Sequence, residues 1–129
     1  MTRLPPFFCS TQQRSEAALA FTGDLAARPD LKVGIISNTN EIHAAWLRAN
    51  LPEFAHFHSV ILSNEVGLLK PDAAIYQLAL AQLDVTPAQA LFVDDVAENV
   101  AGATAVGLAG LHHTDWSTTR AAIERWLKI

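Results

Sequence analysis

The sequence predicts an α/β fold built on a mainly parallel sheet. Short β-branched apolar runs alternate with segments of helical periodicity from Leu31 to the C-terminus. The runs are almost uninterrupted, as in strands buried on both faces. Half of the 129 residues are apolar and only 17% are charged, which gives the chain a sizeable core and excludes wholesale disorder.

The stretch "LKVGIISNTN" holds an apolar core, Val33 to Ile36, followed by the turn and cap formers Ser37, Asn38, Thr39 and Asn40. It reads as a buried strand running straight into a helix. In that helix Ile42, Ala45, Trp46 and Ala49 recur at i, i+3, i+4 and i+7 and make one apolar face. "SVILS", Ser59 to Ser63, is a second strand, and "NEVGLLK" leads to Pro71, expected as the first residue of the next helix. Ile75, Leu78, Ala79 and Gln82 follow at helical spacing. Thr86, Pro87 and Gln89 resemble a capping box on a single turn. "ALFV" makes a third strand, Val96 to Val106 a helix ended by Gly107, and "LAGLHH" a fourth strand. "STTRAAIERWL" is a last amphipathic helix with Ala122, Ile123, Trp126 and Leu127 inward. Residues 1–22 stay unassigned: their paired prolines make the first part a poor central strand, and a weak helical pattern starts near Ser15. Residues 23–129 form the expected core.

Composition narrows the partners. The nine Lys and Arg residues are scattered singly and the net charge is −4, so neither nucleic acid nor a membrane surface is expected. A lone cysteine, Cys9, offers no internal disulfide, and "MTRLPPFF" lacks a long apolar segment. The expected compartment is the cytoplasm.

In an open parallel sheet, ligands gather beyond the carboxyl ends of the strands. Ser37 and Asn38 end one predicted strand, Asp94 and Asp95 end another, and Lys70 stands in a loop before a helix. Adjacent carboxylates repel unless a cation or strong donors offset them. Mg²⁺ suits that role, because it takes oxygen ligands from one or two carboxylates, water and phosphate. Asn99 reaches the same place at i+4 from Asp95. Lys70 would meet an anionic group and Ser37 would hydrogen-bond it. Together these residues describe a phosphate-and-metal site. Helix capping is the plainer reading of Asp94 and Asp95, and of Ser37 and Asn38, taken one at a time.

"GIISNTN", "GLLKPD" and "LFVDDVAEN" resemble the second, third and fourth motifs of the haloacid dehalogenase-like hydrolases. Their order matches, with 33 residues from Ser37 to Lys70 and 24 from Lys70 to Asp94. The resemblance runs from about Asp24 to the C-terminus and implies a three-layer Rossmann-like core. It implies that Ser37 and Asn38 bind the phosphoryl group of a small phosphate ester and that Lys70 stabilises charge on nucleophile and substrate. It further implies that Asp95 with Asp94 holds Mg²⁺ and that Asn99 supports their loop. Metal-free carbon–halogen cleaving members carry Ser and Asn residues around Asp94 to Val96, so the acidic pair favours a phosphatase-like branch over a 2-haloacid dehalogenase.

The family's first motif, a strand ending in Asp-x-Asp whose first carboxylate attacks phosphorus, has no counterpart in the sequence. The usual cap domain is missing as well. The central strand of the sheet is therefore expected to be absent, which leaves two strand edges to be closed. Four repairs would serve. The flanking strands pair directly, residues 3–9 insert despite Pro5 and Pro6, a second copy completes the sheet in a homodimer, or the chain is a truncated piece of a longer protein. The expected function is a Mg²⁺-dependent phosphate monoester hydrolase core. A phosphate-binding or assembly module without turnover is the alternative. A phosphorylation receiver domain fits less well, since its acidic pair comes first in the chain. His56 with His58 and His112 with His113 lack a third ligand for zinc. Trp46, Trp116 and Trp126 read as core or interface residues.

Overall fold

The computed structural model describes residues 7–9, 16–50, 55 and 57–128. The elements run β1 (Phe7–Cys9), α1 (Glu16–Ala26), β2 (Val33–Ser37), α2 (Glu41–Asn50), β3 (Ser59–Leu62), α3 (Ser63–Val66) and α4 (Ala73–Leu83). After a 3₁₀ turn at Pro87–Gln89 come β4 (Leu91–Asp94), α5 (Ala97–Val106), β5 (Ala109–His112) and α6 (Trp116–Leu127). The five strands lie in the order β3-β2-β1-β4-β5, and every pair is parallel.

Alternation along the strands divides the core into two layers around the sheet. Leu91 and Val93 of β4 pack with Phe21 and Leu25 of α1 and Ile123 and Leu127 of α6. Phe92, one residue out of phase, packs on the other face with Ile75, Tyr76 and Ala79 of α4 and Ala103 of α5. This is a three-layer α/β sandwich, and the near-continuous burial of β2 and β4 follows from helices covering both faces.

The central position of the sheet is filled by the chain's own β1. Phe7, Phe8 and Cys9 pair with Val33, Gly34 and Ile35 on one side and with Leu91, Phe92 and Val93 on the other. The expected missing strand is thus replaced by the second of the four repairs. Pro5 and Pro6 precede the paired residues, so all three positions of β1 keep the N–H that a central strand needs. The expected boundary between residues 22 and 23 falls inside α1, whose Phe21 and Leu25 belong to the core.

Two further expectations are corrected. Pro71 does not begin a helix: Lys70–Pro71 is a cis peptide in a turn closed by Asp72 N–H donating to Leu69 O at 2.9 Å, and α4 starts at Ala73. In α2 the periodic face of Ile42, Ala45, Trp46 and Ala49 points outward, while Ala44, on the opposite side, is the residue buried with Leu62. A helical period shows that a face is apolar, not which surface meets it. Among the described residues, no helix is long and apolar enough to cross a membrane.

α5 approaches the Pro71 turn through Gly102. A Cβ built there would stand 2.6 Å from Pro71 O and 2.7 Å from Pro71 Cβ. Gly102→Ala should therefore destabilise the protein by about 1–3 kcal/mol, the overpacking cost exceeding the ~1 kcal/mol gain in helix propensity. Equilibrium urea unfolding measures it. Unchanged or raised stability would mean that the turn yields freely.

Candidate functional site

The carboxyl ends of β2 and β4 flank β1, the place where connections leave the sheet in opposite directions. Ser37 is the last residue of β2 and is buried. Asp94 is the last residue of β4, with Asp95 next in the chain. Lys70 reaches this edge from the loop that follows α3.

Lys70 Nζ donates to Asp94 Oδ2 at 2.8 Å and to Ile36 O at 3.2 Å, and both charged side chains are 1% exposed. The ammonium also stands 5.9 Å from the centroid of the Phe92 ring. Asn99 Nδ2 donates to the same Asp94 oxygen at 3.1 Å, and Val96 N–H donates to Asp94 Oδ1 at 3.0 Å. Burial on its own raises the Asp94 pKa, but the Lys70 charge, the Lys70 hydrogen bond and the Val96 N–H outweigh it and hold the carboxyl below the usual range.

Lys70 is itself held at its backbone. Its N–H donates to Asn38 Oδ1 at 2.9 Å, and its carbonyl accepts from Asn38 Nδ2 at 3.1 Å. Asn38, expected to bind substrate, therefore clamps the Lys70 peptide to the end of β2. Ser63, the first residue of α3, holds the loop that follows β2: its Oγ accepts from Thr39 N–H at 2.8 Å and donates to Thr39 O at 2.9 Å. Tyr76 O–H donates to Asn99 O at 2.6 Å and fixes the first turn of α5, and its burial raises the phenol pKa well above the ordinary value.

The two carboxylates expected to share a metal divide into different roles. Both Asp94 oxygens accept protein hydrogen bonds, so Asp94 positions Lys70 and the α5 loop. Among the described residues, Asp95 Oδ1 is buried and has no hydrogen-bond partner. Burial first, and then the adjacent Asp94 carboxylate, raise the Asp95 pKa. A cation beside Asp95 would relieve both costs. Among the described residues no group of three or more His, Cys, Asp or Glu side chains converges on a metal position. A cation here would take its other ligands from water, phosphate or carbonyl oxygens, which is the habit of Mg²⁺ and unlike that of zinc.

The histidines have other uses. His58 Nδ1 accepts from Val33 N–H at 3.0 Å, His112 Nε2 lies 3.0 Å from Asp95 O, and His113 Nδ1 lies 2.6 Å from Thr119 Oγ1. His56 lies outside the described residues. Tyr76 had no signal in the sequence beyond a hydroxyl in a helical stretch, and Ser63, expected to end a strand, is instead the first residue of α3.

A family model described as haloacid dehalogenase-like hydrolase matches residues 7–107. The chain belongs to the haloacid dehalogenase-like hydrolases. Among similar proteins of this kind, the sesquiterpene phosphatase astK of Aspergillus oryzae is 44% identical over 63 residues, which are 49% of this chain and 32% of astK. The phosphatase MT3486 of Mycobacterium tuberculosis is 36% identical over 84 residues, 64% of this chain and 39% of the relative. The chain thus spans only a third or somewhat more of the length of these relatives. A haloacid dehalogenase family enzyme of Bacteroides thetaiotaomicron, solved with magnesium and inorganic phosphate, superposes with a TM-score of 0.69 at 25% identity. That match covers 81% of this chain and 57% of the other.

In this hydrolase core the Lys70–Asp94 pair sets a stability prediction. Lys70→Met or Asp94→Leu alone strands a buried charge and should cost about 3–5 kcal/mol, whereas the double variant should recover most of the loss. Because the folded-state value of Asp94 is depressed, its contribution is present above the ordinary carboxylate range and is lost as pH falls through the lowered value. The wild type should accordingly lose stability below about pH 4, and the double variant should lack that component. Urea unfolding from pH 7 to pH 3 measures both. Additive single-variant losses would contradict the pairing.

Proposed function

We propose that this chain binds phosphate monoesters of small molecules together with Mg²⁺, at a site of the phosphatase type. The observation that carries the reading is the buried Asp95 Oδ1, without a hydrogen-bond partner among the described residues, beside the Lys70–Asp94 ion pair. A carboxylate oxygen that accepts no hydrogen bond among the described residues and a fixed ammonium at one strand edge suit an anion that arrives with a hard cation. When bound, Mg²⁺ supplies positive charge against the phosphoryl oxygens. Ser37 offers its hydroxyl to those oxygens, and Lys70, oriented by Asp94, Ile36 O and Asn38, offers its charge. The phosphatases astK and MT3486 and the magnesium–phosphate complex of the Bacteroides enzyme support this reading.

One observation favours a second reading, phosphate binding without turnover. In the sequence β1 is followed by Ser10 and Thr11, and no carboxylate occurs before Glu16. A nucleophilic aspartate directly after the central strand, which an aspartyl-phosphate route needs, is not encoded there.

Hydrolysis of p-nitrophenyl phosphate in Mg²⁺, with Asp95→Asn and EDTA in parallel, separates the two. A hydrolase should lose about a hundredfold or more of its rate in Asp95→Asn. Orthophosphate binding that needs Mg²⁺ and Asp95 but brings no turnover would select the binding module. Neither binding nor turnover would contradict both.

A further inference from the structure

Four large apolar side chains are exposed among the described residues: Ile42 at 85%, Leu69 at 54%, Trp46 at 43% and Val96 at 37%. Each belongs to a segment that follows the carboxyl end of a strand. Leu69 immediately precedes Lys70, Val96 immediately follows Asp95, and Ile42 and Trp46 stand on the first turns of α2, just after Ser37 and Asn38. Polar residues would be the ordinary choice at such an exposed rim.

The same face of α2 lines an open cavity of about 480 Å³, bounded by Asn40, Ile42, His43 and Trp46. The His43 and Trp46 rings lie nearly parallel, 6° apart, with centroids 6.2 Å from each other. Asn40 Oδ1 accepts from His43 N–H at 2.8 Å, so that oxygen is engaged as the helix cap. The exposed parts of Ile42 and Trp46 make this stretch largely apolar, beginning two residues from the Asn38 clamp. Arg48, nearer the Ala44 side of α2, pairs with Glu65 of α3 through Nε to Oε2 at 2.9 Å.

We infer that this cavity receives the apolar organic part of a phosphate monoester whose phosphoryl group lies at Ser37, Lys70 and Asp95. The inference rests on the phosphate site proposed above and adds the class of ester: one with a hydrocarbon chain or ring, rather than a sugar or nucleoside. A wall of Ile42 and Trp46 on the helix capped by Asn40, two residues after the Asn38 clamp, complements a molecule that is charged at one end and apolar at the other. It offers few partners for the hydroxyls of a sugar.

The test is calorimetric titration of the full chain in Mg²⁺ with methyl-, butyl- and hexylphosphonate, whose C–P bond resists hydrolysis, and with orthophosphate. Affinity should rise about twofold per methylene, less than the roughly fourfold of complete burial because the cavity is open. Ile42→Ser and Trp46→Ala should flatten the series while leaving methylphosphonate affinity within about twofold. Ile42 is so exposed that its replacement leaves the fold intact. A flat wild-type series, with orthophosphate and methylphosphonate still bound, would overturn the inference alone. A rise that survives both substitutions would place the apolar contact elsewhere and overturn it as well. Failure of orthophosphate and methylphosphonate to bind would remove the phosphate site and the inference together.

Discussion

Lys70 and Asp94 meet with both side chains withdrawn from water, and the geometry of the site descends from that pair. An ammonium or a carboxylate buried alone would be costly, so each requires the other in place. Lys70 comes from the loop before α4 and Asp94 from the end of β4, hence the pair joins the two halves of the sheet across β1. Asn38 and Ile36 O add the end of β2, and Asn99 adds the first turn of α5. Buried ion pairs contribute little net stability compared with apolar packing, and their use is to specify one arrangement. Here the specified arrangement is a fixed positive charge at the carboxyl edge of the sheet.

That pairing gives the neighbouring carboxylate its character. Asp94 keeps its charge and both its oxygens are hydrogen-bonded, so Asp95 faces an adjacent carboxylate, and its buried Oδ1 accepts no hydrogen bond among the described residues. Two consecutive aspartates are thereby made unlike by environment alone. Asp94 is spent on protein hydrogen bonds, and Asp95 is the carboxylate proposed to meet a cation.

Much of this was legible in the sequence. Strands β2, β4 and β5 announced themselves as apolar runs, and Ser37, Lys70 and Asp94 stood at the strand ends and loop where an α/β sheet collects ligands. Less visible was which aspartate Lys70 would take, because the choice depends on the loop path and not on spacing. Phe7–Cys9 could not be read as the central strand, since three residues are too few to show a period and two prolines stand before them. The outward face of α2 was hidden for another reason. Small Ala44 packs on Leu62 while the larger Ile42 and Trp46 face the rim, which inverts the usual rule that the most apolar face seeks the core. Such an inversion beside the site is where local pattern and fold disagree, a disagreement that often accompanies function.

In the proposed site Asp95, and not Asp94, offers an oxygen to a hard cation. The most direct measurement is an amide NMR spectrum of the chain titrated with Mn²⁺, a paramagnetic ion that accepts the same oxygen ligands as Mg²⁺. The account predicts that resonances of residues 94–99 broaden first, that excess Mg²⁺ restores them, and that Asp95→Asn abolishes the effect without loss of the folded spectrum. Broadening spread evenly over the acidic surface, or unchanged in Asp95→Asn, would contradict it.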